Sequence, residues 1–491
     1  MNRHGPEHAK SATTSAVIAD ITQDAVVIVP GIMGSELYDT VAQKTVWGLS
    51  GVSWLLKAWT RPKGLEPLRL TPEELEGKTS RIKATQLMRH SSWTPYLQGF
   101  EPYTNLINTV HGCVAHSAAV LEFAYDWRLP VTVNGHLLAE AARRHLTAWR
   151  QHPAHDAARR NRVDERPARL VFVAHSMGGL VTRAALDATH DSDLADDTRA
   201  VLTLGTPFYG AVKATAILNT GRGGPVPLPH RQLQSISATM PGLHDLLPQY
   251  TCLIDGNNIR HLTPNDVASI GGNAELAQAA ADFHGKQAHV TLPGHWAVAG
   301  TNQATLQSLT IRDGVVHPHH HGARQHTSGD FVRDSRGGLR FWDVKGDGTV
   351  YKDSAAVGTA VTPLPLQHGA VAFDSVALKA VAEVLRDDEH LGPPQGTPGC
   401  GLDVPDLVEV GTPWTVTLSG VDSLAGLQCE ITDVAGQNSQ SPKLGWGDGY
   451  IKARTTLSAP GLYRVTVRTI DAHTITQLVL ASEPGTGQEV D

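Results

Sequence analysis

The stretch VFVAHSMGGLVTRAAL, residues 171–186, decides the fold. An apolar, β-branched run ends at His175-Ser176, glycines follow at Gly178-Gly179, and an apolar pattern with helical spacing begins at once. A strand that turns sharply into a helix lifts the side chain at the turn out of the sheet and sets a helix N-terminus behind it. Ser176 is therefore the candidate nucleophile. Its surroundings fit G-x-S-x-G with Ala174 in the first place, a residue still small enough for the tight turn. The plainer alternative is a serine in an ordinary turn.

Working outward, strand and helix patterns alternate. DAVVIVPGIMGSEL (24–37) and VLEFAYDWRLP (120–130) read as strands, and NGHLLAEAARRHLTAWRQH (134–152) has helical spacing. TRAVLTLGTPFYG (198–210), HVTLPGHWAVAGT (289–301) and LRFWDVKGDGTV (339–350) return to strand character, and SVALKAVAEVLRDD (375–388) is a closing helix. This order predicts the α/β class, with a mostly parallel sheet covered on both faces. The predicted core spans 23–390 and carries two insertions. The first, about 38–100, is irregular and holds Trp47, Trp54, Trp59 and Trp93, with SWLLKAW (53–59) as an amphipathic helix candidate. The second, about 211–290, is punctuated by Pro and Gly and suits a cap over a site.

Residues 1–22 read as a disordered lead. LGPPQGTPG (391–399) has linker composition. Beyond it, 400–482 holds short β-type runs separated by turn signals. They predict a small all-β unit, immunoglobulin-like but without the full Cys…Trp…Cys hallmark. Residues 483–491 form a tail.

Composition narrows the function classes. With 41 Lys plus Arg against 48 Asp plus Glu, the net charge is −7. That argues against a nucleic-acid partner, which asks for a basic surplus or stripe. The four cysteines, Cys113, Cys252, Cys400 and Cys429, match no zinc spacing and no dense disulfide framework, though Cys400 and Cys429 are close enough in sequence to pair in an exported protein. No signal-peptide core of roughly 7 to 15 apolar residues opens the chain. Nor do about 18 uncharged apolar residues run together anywhere. A cytoplasmic location is the expectation.

A serine hydroxyl needs a base, an acid that orients the base, and donors for the oxyanion. In α/β-hydrolases the triad follows the order Ser, Asp or Glu, His. Asp347, between glycines in GDGTV, is the acid candidate, with Asp343 and Asp353 as nearby rivals. His368, after the acid and before the closing helix, is the base candidate; its place in the order selects it from 25 histidines. The oxyanion donors are expected to be the backbone N–H groups of Met177 and, from PGIMGS after the first strand, Ile32. Gly31 and Gly34 let that backbone approach a substrate closely. This chemistry calls for no cofactor and no metal.

GTPFYGAVK (205–213) lacks the G-K-[ST] ending of a phosphate loop, and H-E-x-x-H is absent. HPHHH (317–321) has metal-ligating side chains but reads better as a polar loop. The Trp-rich stretch 47–59 fits a lipid interface and the core of an insertion equally well.

Five stretches, taken with His368, resemble the lecithin:cholesterol acyltransferase family, which includes group XV-type lysosomal phospholipases. They are VPGIMGSEL (29–37), YDWR (125–128), AHSMGG (174–179), LGTPFYGAVKA (204–214) and GDGTV (346–350). The likeness runs over roughly 24–390 and stops short of the β-rich segment. It implies an α/β-hydrolase core with a lid and a membrane-facing insertion, acting on acyl esters of lipids by hydrolysis or by transfer to an alcohol. By motif position it implies Ser176, Asp347 and His368 as the triad and Ile32 and Met177 as oxyanion donors. Gly31, Asp126, His175 and Gly178 are expected to shape the site. The animal members are exported and disulfide-bonded, which this chain does not match.

The resulting expectation is a serine-dependent lipid acyl hydrolase or acyltransferase working through an acyl-enzyme on a lipid ester or phospholipid, with peripheral membrane contact. The β-rich segment is a candidate site for a protein or glycan partner. Two other readings stand beside it: an esterase on soluble short-chain esters, and a scaffold in which the β-rich segment carries the function.

Overall fold

The computed structural model describes residues 21–48, 64–75, 80–89, 103–160, 166–187, 192–221, 230–326, 328–355, 357, 361–387, 401–405, 407–421, 423–433, 438–447, 449–468 and 474–482. Of the expected lead 1–22, only 21 and 22 are described, and Thr22 is already tied to the core, its N–H donating to the Cys113 carbonyl at 2.8 Å. The expected helix at 53–59, Trp54, Trp59, Trp93, Cys400, the linker 391–399 and the tail 483–491 lie outside the described residues.

Six parallel strands form the central sheet: β1 (Ala25–Val29), β2 (Val120–Glu122), β3 (Leu170–His175), β4 (Thr198–Leu204), β5 (His295–Gly300) and β6 (Val361–Leu364), in the order β6-β5-β4-β3-β1-β2. β1 (AVVIV) and β3 (LVFVAH) are buried at every position, as a parallel strand covered on both faces must be. Two helix pairs supply the cover. α2 (Val131–Arg150) packs on α3 (Met177–Ala185), and α1 (Thr104–His111) packs on α4 (Ser375–Arg386). This is an α/β core, a parallel sheet covered by helices, with insertions.

Three expectations change at this level. Residues 339–350 do not supply a central strand: Phe341–Trp342 pair only with Gly322–Ala323, and both aromatics are exposed. The last central strand is instead β6, sequence VTPL, paired to β5 from Ala297↔Val361 to Gly300↔Leu364. Four residues with an internal proline carry almost no periodic signal, and only a sheet edge tolerates the missing N–H.

The 38–100 insertion is not wholly irregular, since Ser35–Asp39 pairs with both Lys44–Trp47 and Ile82–Leu87. Trp47 there is fully buried, edge-on to Trp127 at 5.4 Å, and donates its indole N–H to the Met33 carbonyl. It therefore belongs to the core and not to a lipid-facing surface. Finally, 317–321 is only partly a loop: its first three residues lie in the strand Val315–His319, antiparallel to Ser308–Arg312, and 320 and 321 follow it outside any strand. Among the described residues no His, Cys, Asp and Glu side chains gather into a group able to hold a metal.

The 211–290 region is mainly helical, with Val212–Thr220, His230–Ser237 and Ala274–Gln287 as its longest helices. After 400 the chain forms two sheets, largely antiparallel, around one shared apolar cluster that includes Val416, Leu418, Ile431, Ile451, Val465 and Val479. Cys429 sits in that cluster, and burial pushes its thiol up to about 11. Among the described residues no helix is long and apolar enough to cross a membrane.

Candidate active site

Ser176 sits where β3 ends and α3 begins, with φ 52° and ψ −126°. This left-handed conformation is strained for a residue with a side chain, and it is held by the Ser176 N–H donating to the Leu204 carbonyl at 2.9 Å. The turn also depends on the absence of a side chain at Gly178. A Cβ there would lie 2.5 Å from the carbonyl oxygens of both Val29 and Pro30.

The sheet delivers the other two groups to the same end. Asp347 lies in the tight GDGTV turn beyond β5, where its Oδ1 accepts the N–H groups of Thr349 and Val350 at 2.9 and 2.7 Å. His368 follows β6. Its Nε2 is 2.8 Å from Ser176 Oγ, and its Nδ1 is 2.8 Å from Asp347 Oδ2. The His368 N–H also donates to the Asp347 carbonyl at 2.8 Å, so the two residues are joined through main chain as well as side chain. Asp347 is buried and the His368 side chain is 12% exposed, so the cluster is largely shielded yet reachable. The rivals lie elsewhere: Asp343 pairs with Lys345 and accepts from Gln307, and Asp353 is exposed on a short 3-10 helix.

Two glycines outside the expected set make room for this pair. A Cβ on Gly205 (φ +61°) would stand 3.2 Å from both Asp347 Oδ2 and His368 Nδ1, and one on Gly300 would lie 2.4 Å from Asp347 Cβ. Gly205 lies in LGTPF, so that motif makes room for the Asp347–His368 pair. The single-sequence signal for it was the glycine directly after a buried strand.

The amides expected to bind an oxyanion flank the serine. Among the described residues, neither the Met177 nor the Ile32 N–H donates a hydrogen bond, which leaves both available to a ligand. Gly31 presses close: a Cβ there would lie 2.9 Å from Ser176 Cβ.

YDWR grips the Pro30–Ser35 loop. Tyr125 donates its hydroxyl to the Pro30 carbonyl at 2.8 Å, and the Trp127 indole donates to the Ser35 carbonyl at 3.3 Å. Asp126 itself does not reach the Ser176–His368–Asp347 cluster. It holds the buried Arg128 through Nε (2.9 Å) and Nη2 (2.7 Å), and Glu74 takes the same guanidinium at 2.9 Å. These carboxylates hold the Arg128 guanidinium above its ordinary value against the opposing effect of burial. His175 is fully buried against Tyr103 and the His368 main chain. Sequence reasoning missed Tyr103, which carries no motif around it.

Residues 94–268 match the family model described as lecithin:cholesterol acyltransferase. Over that span the chain is similar to the lecithin:cholesterol acyltransferase family. The match takes in Asp126, His175 and Ser176 and ends before Asp347 and His368. No curated protein matches. Among solved structures, the Tle4-Tli4 complex aligns at 15% identity over 74% of this chain and 98% of that chain, with a TM-score of 0.44. The mature form of Bacillus licheniformis lipase BlEst2 aligns at 12% identity over 74% and 91%, with a TM-score of 0.31. The M1 domain from titin aligns at 15% identity over 18% of this chain and 97% of that chain, with a TM-score of 0.14.

Proposed function

We propose that the protein is a serine-dependent lipid acyl hydrolase or acyltransferase with Ser176, His368 and Asp347 as its triad. The observation that supports this most is the continuous hydrogen-bonded line from Ser176 Oγ through the His368 ring to Asp347 Oδ2, with 2.8 Å at each step. The carboxylate accepts from Nδ1–H, which leaves Nε2 bare to take the serine proton. Oγ then attacks the ester carbonyl, and the Ile32 and Met177 N–H groups receive the developing oxyanion. His368 returns the proton to the departing alcohol. An acyl-enzyme remains on Ser176. Water or an acceptor alcohol, deprotonated by the same His368, attacks it and releases free acid or a new ester.

The lipid assignment rests on the similarity to the lecithin:cholesterol acyltransferase family over 94–268. In this reading 23–390 is the catalytic unit, joined through 391–399 to a separate β unit over 400–482.

The test is acyl release from phosphatidylcholine vesicles by wild type and by Ser176→Ala, with products separated by mass. Free fatty acid that vanishes in the variant supports a hydrolase, and acyl transfer to an added alcohol supports a transferase. Serine-dependent cleavage of a short soluble ester with no release from vesicles keeps the triad and rejects the lipid substrate.

A further inference from the structure

Behind the nucleophile, four polar groups from distant parts of the chain meet in a buried row. Gly31, from the loop after β1, donates its N–H to the Tyr103 hydroxyl oxygen at 2.8 Å. That oxygen lies 2.9 Å from His175 Nδ1, and His175 Nε2 lies 3.1 Å from the His368 carbonyl oxygen. Tyr103 and His175 are both fully buried.

We infer that Tyr103 and His175 are positioning residues that hold the base and the oxyanion loop in one frame, an inference resting on the acyl-transfer reading above. The direction of every proton supports it. A main-chain carbonyl only accepts, so His175 Nε2 carries a proton and donates it to His368. A neutral His175 then has a bare Nδ1, and the Tyr103 hydroxyl donates to it. The Tyr103 oxygen in turn accepts from Gly31, which can only donate. The row therefore runs in a single sense from the oxyanion loop to the base. A proton on both nitrogens of His175 would set Nδ1–H against the Tyr103 hydroxyl proton and break the row.

The consequences fall on the two groups that must be placed to a fraction of an ångström. Asp347 fixes the His368 ring and its N–H, and His175 fixes its carbonyl, so both main-chain polar atoms of the base are held. Tyr103 occupies the Gly31 N–H and leaves the next amide, that of Ile32, for the oxyanion. Removing the Tyr103 hydroxyl or the His175 ring shifts the base and the loop without removing any group that touches substrate. The effect then appears in turnover and not in substrate binding.

The experiment compares full-length wild type, Tyr103→Phe, His175→Gln, His175→Asn and Ser176→Ala. Turnover of p-nitrophenyl butyrate gives kcat and KM, a fluorophosphonate probe reports the reactive serine, and a thermal melt reports folding. Tyr103→Phe is expected to lower kcat on the order of 100-fold with KM little changed. In His175→Gln the amide reaches as far as Nε2 did, still donates to His368, and keeps kcat within about tenfold of wild type. His175→Asn reaches only as far as Nδ1 and falls on the order of 100-fold.

Wild-type kcat in folded Tyr103→Phe and His175→Asn overturns the inference. Should Tyr103→Phe fail to fold, equal kcat in the Gln and Asn variants overturns it just as well. Full turnover in Ser176→Ala, with no probe labelling of wild type, rejects the acyl-transfer reading itself and is a separate outcome.

Discussion

Gly178 shows how little room the nucleophile turn has. A Cβ added there would lie 2.5 Å from the carbonyl oxygens of Val29 and Pro30, so an added methyl must push β1 and the oxyanion loop away from Ser176. Gly178→Ala is expected to lower kcat on a short ester roughly 100-fold, with a much smaller change in KM. Steady-state kinetics checks this, and an unchanged kcat would contradict the close fit. Arg128 is the second informative residue. It is fully buried between Asp126 and Glu74, and its removal leaves the buried Asp126 carboxylate without its cation, while Glu74 keeps Arg81. Arg128→Met is expected to cost about 3–5 kcal/mol in urea unfolding. A loss well under 1 kcal/mol would show that the cluster does not hold the YDWR segment. At this scale the sequence was legible where a fold family keeps an order of residues: the structure brings the three residues singled out by that order, Ser176, His368 and Asp347, within hydrogen-bond distance in turn. Tyr103, Gly205 and Gly300 were not legible, because their roles depend on partners far away in sequence.

Among the elements, α2 carries a titrating contact at its start. Asp245 accepts the Val131 N–H at 2.7 Å, where the helix N-terminus favours a negative charge. Burial nonetheless pushes its carboxyl up to about 7, with the Val131 N–H pulling the other way. The folded group then holds a proton at pH values where the unfolded one, near 3.8, does not. Its contribution to stability therefore falls as pH rises from about 4 to about 7. Asp245→Asn keeps an acceptor for Val131 and has no proton to lose. Its stability relative to wild type is expected to be more favourable at pH 8 than at pH 5 in thermal melts. An equal difference at both values would contradict this. The elements that the sequence displays best are those with long periodic patterns, α2, β3 and α4. β6 and the hairpin of Val315–His319 with Ser308–Arg312 escaped because short runs with Pro or His carry little pattern, and their partners across the sheet decide their conformation.

At the scale of the whole molecule, the C-terminal sheets meet the core close to Asp347. The Leu402 N–H donates to Gln303 Oε1 at 3.1 Å, and Gln303 pairs through its main chain with Gly346, the neighbour of Asp347. A chain ended after residue 387 loses that support and is expected to turn over a short soluble ester up to about tenfold more slowly, the worth of roughly one hydrogen bond. A loss of several hundredfold would mean that the β unit is part of the catalytic machinery. The division into an α/β core and a β-rich end was legible from the change in strand spacing alone. The contact between them was not, since nothing in the pattern of 401–403 points to Gln303.

The central claim, that Ser176 performs acyl chemistry with His368 and Asp347, is tested most directly by p-nitrophenyl butyrate hydrolysis in wild type and folded Ser176→Ala. The account predicts a fall of roughly 10⁴-fold or more in kcat for the variant. A variant rate within tenfold of wild type would contradict it.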